Sequence, residues 1–428
     1  MNRRRTSEAD LPHSPLEFAY PLAVPGPGAE AVSVLAEVPP EHALTALRTL
    51  RLVFAWTRGP EAAGAVFPRA VLAAWEEALV DDPFDGEDGL WAPLTVLAGE
   101  LRRPERADSQ TIAQACLAAS DWALGIHAER TALLFAEAAA LAWPSNARYA
   151  WIVGRLARNQ SRHREGELWL RRAARVAAWA GDWETQDLAL NTLGNLHAHQ
   201  GSYDRALRYL RRALKLARRH GMKEREGSVS HDLSVVLMTA GDFARAEVHA
   251  IRAYDLYGAD HPHLRRLAFD VAHLWAQQGR FAAALPVLAA LAEHFPEADL
   301  ELRVQAATAR AAGAESRAAE FTAAWDRAWN LIRDYPAETR MVLPSTLVDL
   351  GRGAASIGEW VKAIQALDLA LVSAQEQGVN DAAAQAEVLL SMVRRRERAE
   401  ISRPVSSTSA ARQLAAAFVR SLSVVGEE

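Results

Sequence analysis

Residues 190–214, LNTLGNLHAHQGSYDRALRYLRRAL, admit two readings: a metal site built on His197 and His199, or one unit of a helical repeat. Residues two apart on a helix point about 200° away from each other. The two imidazoles therefore cannot grip one ion, and the four-residue spacing of helical zinc ligands does not occur in the chain. Repetition decides for the second reading. Turns at Ser161, Gly201, Gly241, Gly279 and Gly358 follow one another in steps of 40, 40, 38 and 79 residues. Two residues after each turn stands a ring: His163, Tyr203, Phe243, Phe281 and Trp360. Seven residues before it stands a small residue (Gly154, Gly194, Ser234, Ala272, Gly351), and five after it another (Gly166, Ala206, Ala246, Ala284, Ala363). The last step spans two repeats and hides a degenerate unit around Leu302 to Arg333.

These columns have a physical reason. Two antiparallel helices joined by a tight turn approach closely only where side chains are small. Leu170, Leu210, Leu288 and Leu367 then fill the groove beside the approach. One such hairpin cannot bury its own apolar face, so hairpins must stack. The sequence thus predicts an all-α protein. Leu190, Leu193, Gly194, Gly201, Tyr203, Ala206, Leu210 and Ala213 resemble the tetratricopeptide repeat, and Pro296 stands where that family often places a proline. A period near 40 and the loop YGADHPHLRR, residues 257–266, resemble the longer repeat of the kinesin-light-chain type. An earlier unit places Ser120, Ala132, Ala139 and Pro144 in the same columns. The resemblance covers roughly residues 107–395 and departs from the pattern at His163, at His197 and through the degenerate unit. It implies a right-handed α-solenoid, a superhelix of stacked helical hairpins, with about seven repeats over residues 107–398.

The rest of the chain frames this array. Residues 1–38, rich in Pro and small residues, read as a flexible leader. Residues 39–106 carry helical spacing in EHALTALRTLRLVFAW, PRAVLAAWEEALV and LWAPLTVLAGEL and read as an N-terminal helical subdomain. Residues 399–428 read as a linker and a C-terminal capping helix with Leu414, Phe418 and Leu422 on one face. Docking of that face to a partner or to a second copy, giving a homo-oligomer, is the alternative. Half of the 428 residues are hydrophobic and only 7% aromatic, which suits close-packed helices. A net charge of −5 argues against a polyanion-binding protein as a whole. The single cysteine, Cys116, excludes an intramolecular disulfide and a cysteine-rich zinc site. MNRRRT is followed by SEADLPHSPLEF rather than an apolar core, and no window approaches eighteen uncharged apolar residues. No membrane span is expected, and the cytoplasm is the expected location.

Chemistry is sparse. The chain has no Gly-rich phosphate loop, no G-x-S-x-G and no carboxylate pair in a recognisable frame. No enzymatic activity, cofactor or metal is expected. His261-Pro262-His263 has the reach to chelate, but the sequence specifies no third ligand. Asp232, Asp270 and Asp349 share one column of first helices, so a row of them would suit a basic ligand; a solvated face is the plainer reading. Between Arg148 and Arg225 stand seventeen Arg and Lys against seven Asp and Glu. Arg171, Arg172 and Arg175 recur as Arg211, Arg212 and Lys215 on the outer side of second helices, a convex basic strip. Such a strip attracts nucleic acid or an acidic partner, but no stacking aromatics interleave it. The cluster RRRER, residues 394–398, closes the last repeat helix, where cations favour the carbonyl end.

In the family that the sequence resembles, first helices line a concave groove. The positions facing it here are Arg148, Trp151, Arg155, Arg158 and Asn159, then Asn191, Asn195 and His199, then His231, Asp232, Phe269, Asp270 and His273. Asparagine amides donate to and accept from a peptide backbone, and arginines clamp carboxylates. Members with a carboxylate clamp use a Lys/Asn pattern; Asn195 matches one of its columns, while the lysines are missing. The resemblance implies a protein- or peptide-binding adaptor or scaffold. A second reading is a regulator, since a helical bundle followed by such repeats is similar in layout to bacterial peptide-sensing proteins of the Rap type. Nucleic-acid binding through the convex strip is the third.

Overall fold

The computed structural model describes residues 34, 36–58, 89–258, 261–292, 297–396 and 405–424. Most of the leader, the segment PRAVLAAWEEALV, Gly59-Pro60 and Pro296 lie outside these residues. Among the described residues every regular element is a helix, and no helix is long and apolar enough to cross a membrane. The chain divides into two compact units, Met1–Arg225 and Glu226–Glu428.

Unit 1 begins with α1 (Pro40–Trp56) and α2 (Trp91–Leu101). Three hairpins follow: α3 (Ser109–Gly125) with α4 (Glu129–Ala142), α5 (Ala147–Asn159) with α6 (His163–Ala180), and α7 (Trp183–His199) with α8 (Tyr203–Arg219). Asp108, Asn146 and Asp182 start α3, α5 and α7 by accepting the N–H of Thr111, Arg148 and Thr185 at 2.8, 3.0 and 2.9 Å. Such caps satisfy donors that a helix leaves open at its start. Each hairpin packs on the next, α4 against α5 and α6 against α7, while α1 lies on α2 and α4. One continuous core runs from Val34 to Leu196.

Unit 2 takes most of α9 (Lys223–Thr239), paired in sequence with α10 (Phe243–Tyr257). It continues with α11 (Leu264–Gln277) and α12 (Phe281–Ala292), α13 (Ala298–Ala314) and α14 (Ala318–Asp334), and a short α15 (Pro336–Thr339). Then come α16 (Leu343–Ile357) with α17 (Trp360–Gln377), α18 (Asn380–Arg394) and α19 (Ser409–Val424). Its core is continuous from Ala250 to Leu422.

The column read as the turn is a structural constant. His127, Ser161, Gly201, Gly241, Gly279, Ser316 and Gly358 all adopt left-handed backbone, with φ between 58° and 87°. The residue after each donates its N–H to the carbonyl five residues earlier, at 2.8 to 2.9 Å. That is the bond by which a left-handed residue terminates a helix. Ser316 divides the 79-residue step and places the degenerate unit on α13 and α14. The small-residue columns meet across each hairpin. A methyl added to Gly154, Gly194 or Gly351 would lie 2.5 Å from Cγ of Leu170, Leu210 or Leu367. In the earlier unit the same meeting is a hydrogen bond, Ser120 Oγ to the Ala132 carbonyl at 2.8 Å.

The degenerate unit breaks the columns for a reason. Phe321, five residues after its turn, replaces the small residue and is fully buried. Here the close approach has moved to another pair of helices: α13 meets α16 through Gly313 and Gly353, where an added Cβ would strike main-chain atoms.

The C-terminal helix is occupied within the chain. Leu414, Phe418 and Leu422 of α19 are buried against α12 and α10, with Phe418 edge-on to Tyr254 at 4.9 Å between ring centroids. The Val405 N–H donates to the Gly279 carbonyl at 2.9 Å and fixes the entry of the segment. The apolar face, expected to cap the end of the repeats or, alternatively, to dock a partner or a second copy, is instead covered by α10 and α12, far back along unit 2 from α18.

Candidate functional site

The first helix of each hairpin presents one face away from its partner, and the expected contacts fall there in two groups, one per unit. In unit 1 the centre is Trp151, 8% exposed. Its indole N–H donates to Thr192 Oγ1 at 2.9 Å, and that hydroxyl in turn donates to the Leu188 carbonyl at 2.7 Å. Arg148 and Arg155 lie over the indole at 4.3 and 5.1 Å from the ring centroid. Cation–π attraction and the indole hydrogen bond together fix the plane of the ring. Burial, with Arg148 adding repulsion, pulls the Arg155 guanidinium below its usual basicity, and Asp121 opposes the shift. It remains a cation. Arg158 turns to Asn159, donating to its Oδ1 at 2.8 and 3.2 Å. On α7, Asn191 and Asn195 are half-buried one helical turn apart, and His199 is exposed. Thr192, which anchors the indole, was not visible as a site residue in the sequence, because its partner lies 41 positions away.

The two histidines of the opening stretch separate as helical geometry requires. His197 is 1% exposed and stacks on Tyr209 at 5.4 Å, whereas His199 faces solvent. In the loop before α11, His261 stacks on Tyr257 at 3.9 Å, and its Nδ1 accepts the His263 N–H at 3.1 Å. Among the described residues no three His, Cys, Asp or Glu side chains gather as a metal site. Burial pushes the Cys116 thiol well above its usual range, so it is an inert core residue.

In unit 2 the aspartate column is not an acidic strip. His231 Nε2 lies 2.8 Å from Asp270 Oδ2, both side chains being buried, and Arg266 Nε approaches the same oxygen at 3.5 Å. Asp270 is deep enough for burial to raise its carboxyl, yet His231 and the nearby cations hold it below the ordinary value. Asp349 accepts from Arg310 Nη1 at 2.8 Å and has His273 Nε2 at 3.7 Å. Asp232 is half-buried, and Phe269 is buried and stacks on His273 at 5.8 Å. The basic-ligand reading of Asp232, Asp270 and Asp349 is thereby corrected: cations of the chain itself neutralise two of the three. Sequence reasoning missed Arg266, Arg303, Arg310 and Arg352, which share this face.

The strip on the second helices is largely solvated. Arg171, Arg175, Arg211, Arg212 and Lys215 are exposed and Arg172 half-buried; Arg171 bonds Glu167 at 2.5 Å, and Arg212 lies over Tyr209 at 5.9 Å. A groove of about 580 Å³ between α12, α13 and α14 is lined on its polar side by the ion pair of Arg327 with buried Glu301, at 2.6 and 3.0 Å.

Residues 187–220, which span most of α7 and all of α8, match the family model for the tetratricopeptide repeat. The molecule is an all-α protein of stacked helical hairpins that carries this repeat. No curated protein matches the chain. Among solved structures it is similar to a Rap protein complexed with competence and sporulation factor, at 12% identity and a TM-score of 0.44, over 85% of this chain and 99% of that one. It is also similar to the apo form of RapI, at 12% identity and a TM-score of 0.46, over 82% and 97% of the two chains. Aspartyl phosphate phosphatase F from Bacillus subtilis is matched at 8% identity and a TM-score of 0.46, over 85% and 96%.

Proposed function

We propose that this chain is a non-catalytic protein- or peptide-binding adaptor of the cytoplasm, with ligand held on the first-helix faces. The observation that supports the reading is the unit 1 face, where Trp151 is braced by Arg148, Arg155 and Thr192 beside the amides of Asn191 and Asn195. An oriented indole with flanking cations and amides offers stacking, backbone hydrogen bonds and carboxylate contacts on a rigid support. Rigid side chains lose little freedom on binding, which favours recognition of an extended chain. The repeat spacing near 40 residues supports assignment to the longer, kinesin-light-chain type of the repeat.

Affinity capture with the wild type and with N191A/N195A tests the reading. Capture of a defined partner should fall about tenfold in the variant at an unchanged melting temperature. Undiminished capture would move the ligand off this face. Compaction of the chain in small-angle scattering on adding a short peptide would replace the adaptor with a peptide-sensing regulator. Retention on heparin that falls steeply with salt would instead bring the second-helix strip forward.

A further inference from the structure

The first-helix face of unit 2 carries more guanidinium donors than it has acceptors for. Arg303 and Arg310 on α13 and Arg352 on α16 are at least partly buried, and Arg310 is only 9% exposed. Arg310 spends Nη1 on Asp349, and Arg352 gives Nη2 to Gln385 Oε1 at 3.1 Å. The Nε–H of all three is buried without an acceptor. One such donor is an ordinary defect; three in neighbouring positions on one face are a pattern. The groups sense one another: Arg303 is depressed by burial and then by Arg266, Arg352 by burial and then by Arg310, and His273 lies within the fields of Asp349, Arg310, Asp270 and Arg303. The carboxylates on hand do not relieve this. Asp270 is taken by His231 and Arg266, Asp349 by Arg310, and Asp299 acts on Arg303 only at a distance.

The repeat explains how the row arises. Arg310 and Arg352 stand six residues before their turns, at Ser316 and Gly358, and Arg303 stands thirteen before Ser316. Six and thirteen differ by seven, two helical turns, so these columns project from the same face. In unit 1 the same columns hold Arg155 and Arg148, the pair that brackets Trp151.

We propose that this face of unit 2 is a binding site for an acidic peptide segment, with Arg303, Arg310 and Arg352 donating to its carboxylates. The Nε–H and Nη–H edge of a guanidinium matches a carboxylate in two parallel bonds. A single small anion would satisfy one such edge, whereas three edges on two helices call for several carboxylates carried on one chain. Among the described residues the face lacks the exposed aromatic platform on which bases stack, since Phe269 is buried against His273. The proposal rests on the first-helix faces being peptide surfaces, and it adds the chemistry of the ligand.

Fluorescence anisotropy with two labelled hexapeptides, Glu-Ala-Glu-Ala-Glu-Ala and its Gln counterpart, tests it on the full chain. The Glu peptide should bind about tenfold more tightly than the Gln peptide, and R303Q/R352Q should abolish the difference. R303K/R352K keeps the charge and removes the planar donors; it should lose most of the preference, and it serves if the Gln pair folds poorly. R171Q/R211Q on the second helices should change nothing. Equal binding of the two peptides, a preference lost in R171Q/R211Q and kept in R303Q/R352Q, or retention of inorganic phosphate with neither peptide would each overturn the proposal. Partner capture that still depends on Asn191 and Asn195 in that event would leave peptide binding standing and remove only the acidic ligand.

Discussion

The carbonyl oxygen of Gly353 occupies the place a Cβ on Gly313 would take, so α13 and α16 meet main chain to main chain. The hairpin contact at Gly351 differs in kind, since its obstacle is the side chain of Leu367 at 2.5 Å. A leucine can change rotamer; a helical carbonyl cannot move without its helix.

Alanine at the two positions should therefore have unequal effects. Better helix propensity offsets about 1 kcal/mol in each case. G351A should cost about 1 to 2 kcal/mol net, and G353A, whose methyl would lie 2.5 Å from the Ala309 carbonyl oxygen, about 3 kcal/mol or more. Denaturant midpoints of the two variants, compared with the wild type, give the ranking. Equal losses would show that α13 and α16 separate freely.

His197 should make stability depend on pH. Burial holds its imidazole below the usual value of about 6.5, against the opposing pull of Glu167 at 3.7 Å, with Arg205 and Arg171 adding repulsion. In the unfolded chain the ring takes its proton near pH 6.5, while in the folded chain it resists until the pH is lower. The unfolded state thus binds more protons in that window, and stability declines as pH falls through it. H197F keeps a ring against Tyr209 without a titrating group. The drop in melting temperature from about pH 8 to about pH 5.5 should be smaller in H197F than in the wild type. Parallel curves would assign the pH dependence to other groups.

Phe418 should be among the most sensitive residues of α19. Its ring is fully buried against Tyr254, and F418A should destabilise unit 2 by about 3 to 5 kcal/mol. Hydrogen exchange would show α10 and α12 losing protection together with α19. Protection lost only within α19 would mean that the helix rests on unit 2 without supporting it.

What the sequence made legible was whatever repeats. The turn, the small pairs and the leucines recur because each hairpin solves the same packing problem, and the residues named for those columns meet as expected at Gly194 and Leu210. Two things were hidden. The unit on α13 and α14 kept its left-handed turn at Ser316 but exchanged a small residue for Phe321, so its columns could not be aligned, and Arg303 and Arg310 went unseen with it. Periodicity in α19 announced an apolar face but held no record of which helices receive it; that is decided by the free surface of α10 and α12, about 120 to 180 residues earlier.

The left-handed residue at every hairpin turn acts as a common origin for counting. Because it fixes where a first helix stops, the side chains six and thirteen residues before it keep one bearing on every hairpin of a unit, whatever they are. Six residues before its turn, α7 carries Asn195 where α5, α13 and α16 carry Arg155, Arg310 and Arg352, while the contact of Gly194 with Leu210 beneath it matches that of Gly154 with Leu170.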